Sequence, residues 1–524
     1  MVDGCRYSLL SEPLFSVHSQ ENEKLKLSLP EILERLTSDE VTSFDALQPH
    51  QRQAWYSFLV QLATIALARN GEARLVTSAS RWRELLLHLT KGKEQPWCLV
   101  VDDISQPAFM QSPVPEGTLE KAKYKADVTT PDDLDMLVTS KNHDVKMHRI
   151  TRPKIEHWIY ALVTLQTMEG FLGQGNYGIA RMNGGFGNRP LVEMSAGLSW
   201  GLRFGRDVEL LLSARDYFTE QYSYNSRGIG LVWLASWNGS KEHILSLEQC
   251  DPFFIEICRR IRFTDAKGNP CCWRANTKSV RIAAPEGMNG VIGDPWTPVD
   301  KKNAKALTVN ERGFSYQKLH ELLFTGDYER PLTMKTTAAE RDGAFVIATT
   351  LVRGQGKTDG WHNRIVPVPS KAIHLFGSSS ERNELSMRAQ EQVNTASDVQ
   401  KFVLYPALRA LLTGGSDEKV DSTKITRWTN AYNADVDDIF FPRLWESLDL
   451  PRDEARLRWQ KQMFNFAHKH LEDAIGSTPL SSIRRYRAIS AAESIFYGSI
   501  RKHSDKFISN QQKKEEHDNI TSLR

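Results

Sequence analysis

The residue types best suited to chemistry lie between Gly170 and Arg189. Glycine occupies positions 170, 173, 175, 178, 184, 185 and 187, with Arg181, Asn183, Asn188 and Arg189 set among them. A stretch this rich in glycine carries a large entropic penalty and is kept where something must approach the backbone closely. Two readings stand: a long, mobile surface connector, or a backbone-lined ligand site with basic edges suited to phosphates or a nucleic-acid groove. Gly173, Gly175 and Gly178 spell G-x-G-x-x-G, with Glu193 at about the distance a dinucleotide fold requires. The context disagrees, because the preceding residues have helical rather than strand spacing and MNGGFGNRP stands where the crossover helix should be. A nucleotide-binding enzyme using Gly173–Gly178 is therefore the alternative rather than the leading reading. Gly356-Lys357-Thr358 imitates the end of a P-loop, but Leu351 stands where that motif needs glycine, and Asp359-Gly360 is a turn rather than a helix start.

Cys250, Cys258, Cys271 and Cys272 raise the question of zinc. Adjacent Cys271 and Cys272 lack the spacing that lets two thiolates meet one tetrahedral ion, so the group reads as buried or free thiols and no metal is assigned. Paired carboxylates, H-E-x-x-H, G-x-S-x-G and Cys/His nucleophile patterns are missing from any credible context. The chain reads as a binding protein, with no catalytic residue and no cofactor. From Glu256 to Arg281 seven basic residues (Arg259, Arg260, Arg262, Lys267, Arg274, Lys278 and Arg281) face two acidic ones. Glycine, proline and asparagine mixed among them favour a contact surface over a merely solvated face. Arg484, Arg485 and Arg487 form a second stripe, read equally as solvated face or nucleic-acid backbone contact.

The elements that must position these residues are α+β. At 524 residues, 40% apolar and 25% charged, with a net charge of +3, the chain is an ordinary globular protein with room for two or three domains. Few cysteines, no signal peptide and no apolar run near ~18–20 residues predict a soluble, cytoplasmic protein without a membrane span. Leu47–Arg69 reads as a buried helix, Arg81–Leu89 as a second, and Trp97–Val101 as a strand. Gly117–Asp135 reads as irregular and Leu137–Arg149 as a polar, basic loop. Trp158, Ile159, Leu162, Leu165, Met168 and Leu172 recur at helical steps and lead into the glycines. Asp207–Arg215 is a short helix or strand, and Phe253–Arg262 is undecided between the two. Val346–Val352 and Arg364–Val368 predict a hairpin with a long glycine-rich tip. Long helical patterns at Glu384–Leu412, Thr423–Leu448, Asp453–Ile475 and Ser481–Lys502 predict a four-helix bundle, with Phe402, Leu408, Leu411, Trp428, Trp445, Trp459, Phe464 and Phe496 in its core. The expected organisation is a mixed α/β domain over 1–377, the bundle over 378–510 and a polar tail over 511–524.

In order along the chain, LSLPEIL, LQPHQRQAW with FLVQLATIAL, PAFMQ, LVTSKNHD and GNYGIARMNGGFGNRP resemble the CasA family. CasA is the large subunit of the type I-E CRISPR Cascade surveillance complex, and the resemblance covers nearly the whole chain. It implies a non-catalytic ribonucleoprotein subunit of antiviral defence that reads the protospacer-adjacent motif (PAM) in double-stranded DNA. Such a subunit helps open the duplex for guide-RNA pairing, the R-loop, and recruits a separate helicase-nuclease. The implied partners are PAM duplex DNA, the CRISPR guide RNA, other Cascade subunits and that nuclease. Carried over residue by residue, the resemblance puts a glycine loop at Asn183, Gly184 and Gly185, a groove lysine at Lys278, and a wedge hairpin at Arg353–Lys357, with Gln355 at the tip beside Gly356 and Lys357. It puts the loop that docks near the guide's 5′ handle at Ser140, Lys141, Asn142 and His143, within Thr139–Asp144. The physics of these assignments is coherent: a minor groove about 6 Å wide admits thin backbone but no helix, and prying a base step open costs a few kcal/mol that a stiff hairpin can deliver.

Overall fold

The computed structural model describes residues 4–136, 150–185, 187–354, 357–377, 379–414, 421–479 and 482–502. They divide into two compact units: Met1–Phe314 with Asp327–Pro367, and Ser315–Gly326 with Val368–Arg524.

The first unit mixes helices with small sheets of two or three strands. Its helices are α1 (Leu29–Thr37), α2 (Arg52–Arg69), α3 (Ala79–Leu89), α4 (Ile155–Met168) and α5 (Trp200–Gln221). Ser28 starts α1: its N–H and Oγ both donate to the Glu31 carboxylate, each at 2.7 Å, the reciprocal arrangement that satisfies orphan donors at a helix start. Helix α2 is buried on every side from Gln53 to Leu67, as its near-continuous apolar run requires. It packs against α3, α4, α5 and the strand Cys250–Ile255. Trp55 sits at the centre of an aromatic cluster, with ring centroids 5.2 Å from Phe15, 5.3 Å from Phe58 and 5.1 Å from Tyr160.

Several expectations change here. Asp207–Arg215 is the middle of the 22-residue α5 rather than a short element. Its flanks carry the aromatics and charges of a half-exposed helix, which blur an apolar period. Phe253–Arg262 spans two strands, Cys250–Ile255 and Arg260–Ala266. Gly117–Asp135 is not wholly irregular, since Lys125–Val128 forms an edge strand on Asn269–Ala275. Edge strands need only one apolar face, and this one keeps only Val128 buried. The hairpin strands run Gly343–Gly354 and Lys357–Pro369, so the long glycine-rich tip shrinks to Gln355-Gly356, which lie outside the described residues. Leu191–Ser195 completes a three-stranded sheet on the other side of Gly343–Gly354.

The second unit is helical: α6 (Tyr316–His320), α7 (Ser370–Gly377), α8 (Ser379–Val399), α9 (Tyr405–Thr413), α10 (Ser422–Ser447), α11 (Arg452–Ser477) and α12 (Ser482–Lys502). Helices α8 and α9 are one predicted helix, divided by a π turn at Gln400–Leu404. Pro406 explains it, because proline lacks the N–H and its ring crowds the carbonyl four residues back, so a wider turn relieves both. Leu408, Leu411, Trp445, Trp459 and Phe496 are buried as expected, while Phe402, Trp428 and Phe464 are only half-buried. Arg484, Arg485 and Arg487 are exposed on α12. No described helix is long and apolar enough to cross a membrane.

Candidate nucleic-acid interface

The glycine stretch is a folded knot. Its two ends meet where Arg189 N–H donates to the Met168 carbonyl at 3.1 Å, and inside it Ile179 N–H reaches the Glu169 carbonyl and Phe171 N–H the Gly185 carbonyl, each at 3.0 Å. Backbone lies on backbone: a Cβ on Gly170 would stand 2.1 Å from the Gly187 oxygen, and one on Gly178 would stand 2.4 Å from the Gly170 carbonyl carbon. These glycines exist for close packing, so the mobile-connector reading falls.

Arg181 and Arg189 are not basic edges open to a ligand. Arg189 is 1% exposed, and its Nε and Nη2 grip the Asp294 carboxylate at 2.5 and 2.8 Å, a forked geometry that suits a planar guanidinium. Burial would raise the Asp294 carboxyl, but Arg189 and Arg181 outweigh it and hold the group below its ordinary range. Arg181 lies 3.8 Å over the Phe254 ring and reaches the Glu256 carboxylate at 3.3 Å. Asn188 is buried as well. The knot leaves Gln174 and its tip at the surface. Asn183 Oδ1 accepts from Gly185 N–H at 3.0 Å, its Nδ2 donates to the Ala306 carbonyl at 3.2 Å, and Gly184 is exposed with φ +79° and open space where a Cβ would point.

Glu169 ties the knot to its surroundings. The residue ends α4, is 3% exposed, and its carboxylate accepts from Arg259 at 2.7 Å on one oxygen and from Arg353 on the other. Arg353 is the penultimate residue of the first hairpin strand, so the tip end of the hairpin is clamped to the first residue before the glycines. Lys278 is stitched on from a third direction: its neighbour Thr277 donates its N–H to the Gly175 carbonyl at 3.0 Å, and Lys278 N–H donates to Gly239 at 2.8 Å. The Lys278 side chain is exposed and has no ion-pair partner among the described residues. Thr358 Oγ1, at the start of the return strand, donates to the Met136 carbonyl at 3.1 Å, immediately before residues 137–149. Ser140, Lys141, Asn142 and His143 lie outside the described residues, as do Gln355 and Gly356. Lys357 begins the return strand.

The family model for CRISPR-associated protein Cse1 matches residues 8–469. The chain belongs to the Cse1 family. CasA (Cse1) from Thermus thermophilus shares the fold at 15% identity and a TM-score of 0.63, over 95% of this chain and 99% of that one. Cse1 from Acidimicrobium ferrooxidans does so at 12% identity and 0.62, over 96% and 99%. A chain of a CRISPR RNA-guided surveillance complex does so at 12% and 0.59, over 94% and 99%. At these identities the likeness is one of fold. No curated protein matches the chain by sequence.

In this Cse1-family chain the basic run from Arg259 to Arg281 is mostly internal, a correction to its reading as a contact surface. Arg259, Arg260, Arg262 and Arg281 are buried. Arg262 donates to the carbonyls of Val101, Gln106 and Asp103 at 2.9, 3.0 and 3.2 Å, and Arg281 to those of His243 and Ala235 at 2.6 and 2.9 Å. Neither has an ion-pair partner among the described residues, and burial lowers both guanidinium pKa values to about 10, against a weaker upward pull of Tyr124 and Asp103 on Arg262. Lys267, Arg274 and Lys278 remain exposed, and Arg274 is paired to Asp127 at 2.9 Å. Charge counting along a sequence cannot separate an arginine that solders loops from one that meets a phosphate.

The cysteines are free. Strand pairing sets Cys271 opposite Thr264 and Cys272 opposite Phe263, so the two adjacent side chains leave opposite faces of one strand. Burial pushes the Cys250 and Cys258 thiols up to about 12. Among the described residues no group of three or more His, Cys, Asp or Glu is arranged to hold a metal. The G-x-G-x-x-G segment follows a helix, and Lys357 and Thr358 begin a 13-residue strand rather than a helix, so neither nucleotide motif has its structural context. Sequence reasoning misses Glu169 and the pairing through it of Arg259 and Arg353, which it places in the basic run and the wedge hairpin. Nothing in their spacing announces them, since their contacts span 90 and 184 residues.

Proposed function

We propose that this chain is the large, non-catalytic subunit of a type I-E CRISPR Cascade complex, reading the PAM in double-stranded DNA and promoting R-loop formation. The observation that carries the proposal is the joining of three separate segments at one clasp in a Cse1-family fold: the glycine tip, the Lys278 segment and the tip end of the hairpin at Arg353, all tied to Glu169–Gly178. In this reading Asn183, Gly184 and Gly185 present thin backbone to the minor groove, and Lys278 neutralises a phosphate beside it. Gln355, flanked by Gly356 and Lys357, wedges the first base step apart and leaves sequence identity to guide pairing. The loop containing Ser140, Lys141, Asn142 and His143 docks at the 5′ end of the guide RNA, and a separate helicase-nuclease is recruited once the R-loop has formed.

The test is duplex binding by the guide-RNA complex assembled with and without this chain, on targets carrying the native or a scrambled PAM. PAM-selective binding and strand opening are expected only when the chain is present. Equal selectivity without it overturns the proposal.

A further inference from the structure

Helix α5 ends at a small open slot. Its last turns carry Tyr217 and Phe218, and Tyr222 is its C-cap residue. The Phe218 and Tyr222 rings stack with centroids 5.7 Å apart, and Tyr217 meets Phe218 edge-on at 5.6 Å. Gly293 makes room for them: at its φ of +74° a Cβ would stand 2.6 Å from the Tyr222 ring and 2.8 Å from that of Phe218. The three aromatics line a cavity of about 150 Å³ together with Glu329, Pro331 and Leu332. Two further lining residues adjoin the glycine knot: Asp294 holds Arg189 at 2.8 Å, and a Cβ on Gly290 would stand 2.8 Å from the Arg181 carbonyl oxygen.

The slot favours positive charge. Glu329 is exposed, and its carboxylate makes no hydrogen bond or ion pair among the described residues. Burial pushes the Tyr222 hydroxyl up to about 12, and the nearby Glu329 and Tyr217 add to the rise, so the ring stays neutral with its π face intact. Such faces attract cations within about 6 Å. The 22-residue α5 ends here, and the C-terminus of a helix carries a partial negative charge. Arg330 is the only basic residue in the lining. Tyr217 is 58% exposed, an aromatic left in water of the kind that anchors protein interfaces.

The size is below the ~300–1,000 Å³ of a drug-sized ligand pocket and admits one side-chain tip. A bare metal ion is disfavoured, since it needs several oxygen ligands and the slot offers one uncommitted carboxylate. A nucleic-acid backbone is repelled by that same carboxylate. A guanidinium suits both surfaces, because it is planar and weakly hydrated, stacks on an aromatic ring and forks onto a carboxylate, where an ammonium is only a point charge. We propose that this slot receives an arginine side chain from a protein partner, stacked on Tyr217 and paired with Glu329. The identity of that partner as another subunit of the guide-RNA complex rests on the function proposed above, whereas the preference for a guanidinium does not. No lining residue belongs to the glycine tip, the Lys278 segment or the hairpin.

The test titrates the full chain with Nα-acetyl-argininamide, read by saturation-transfer NMR, with the citrulline and lysine counterparts as arms. Citrulline keeps the shape of arginine and removes its charge. Saturable binding of the arginine probe is expected, about tenfold tighter than citrulline, the worth of a hydrogen bond to a charged group. Glu329→Gln should weaken it about tenfold for the same reason, and Tyr217→Ala about threefold through the lost ring face. Both side chains are exposed, so thermal midpoints should not move. No saturable binding to the wild-type chain, equal binding of citrulline, or indifference to Glu329→Gln overturns the site, and tighter binding of the lysine probe overturns the choice of arginine. The partner is read separately, with the photo-crosslinker p-benzoylphenylalanine placed at Tyr217 in the assembled guide-RNA complex. An adduct on an arginine-containing peptide of another subunit, reduced by Glu329→Gln, is expected, and adducts confined to nucleic acid overturn the protein partner. The probe titration contains no DNA or RNA, so its failure is distinguishable from failure of the proposed PAM reading.

Discussion

Glu169→Gln is the most informative single change, because it keeps the size of the side chain and removes the charge shared by Arg259 and Arg353. Those guanidiniums are 7% and 9% exposed, and the carboxylate between them 3%. Removing one member of a buried pair costs about 3–5 kcal/mol, since a desolvated charge is left unmatched. Here one carboxylate serves two cations, which puts the expected loss in the upper half of that range. Arg353→Met leaves Glu169 paired with Arg259 and should cost about 1–3 kcal/mol, the worth of a hydrogen bond to a charged group. In the double variant only Arg259 is orphaned, so its loss should fall short of the sum of the singles by about 1–3 kcal/mol. Hydrogen exchange reads the outcome locally: the Phe171, Ile179 and Arg189 amides, bonded within the knot, should lose protection together in Glu169→Gln. Strict additivity, or a loss under about 1 kcal/mol with those amides still protected, would refute the clasp.

Glycine substitutions should separate packing from conformation. Gly170→Ala drives a methyl into two backbone carbonyls and should abolish the folded knot, whereas Gly184→Ala, strained only by its φ of +79°, should cost about 1 kcal/mol; equal thermal shifts would contradict this. Lys278→Ala in the assembled complex should weaken duplex binding and flatten log K against log salt by roughly one unit, and an unchanged slope removes Lys278 from the DNA. Gln355→Ala should leave PAM-duplex binding nearly intact while slowing R-loop formation, and parallel loss of both defeats the wedge. Burial raises the Glu256 carboxyl from its ordinary 4.5 to about 7, against the opposing pull of Arg181. A raised acid binds its proton more readily when folded, so its contribution is full below pH 4.5 and fades as pH climbs through 7, by a total on the order of 3 kcal/mol. Glu256→Gln should flatten that fall in a pH series of thermal midpoints, and an unaltered slope rules Glu256 out as its source.

The parts of the fold legible in the sequence are those whose signal is local. Helix α2 declares itself by an unbroken apolar run, α1 by Ser28 and Glu31 three residues apart, and the hairpin by two β-branched runs. The failures share a cause, which is that tertiary contacts decide them. Whether Arg262 is a surface cation or a loop fastener depends on carbonyls at positions 101, 103 and 106, more than 150 residues away. Whether Arg181 and Arg189 edge a binding site depends on Glu256 and Asp294, which a sequence scan counts merely as offsetting charge. The glycine stretch shows the same division within one loop. Its composition announced a close approach of backbone, and the approach is real, but at Gly170 and Gly178 the approaching backbone is the protein's own. Among the described glycines of the stretch, only Gly173 and Gly184 leave open space where a Cβ would point, and of the two only Gly184 is exposed. A glycine-rich segment in a binding protein therefore contains two populations, one that builds the loop and one that the loop presents. Adding a Cβ separates them: at Gly170 and Gly178 it meets backbone atoms at 2.1–2.8 Å, and at the exposed Gly184 of the tip it meets open space. By that criterion the interface available to a groove is far narrower than the count of glycines suggests, and the buried arginines beside it are the reason it holds its shape.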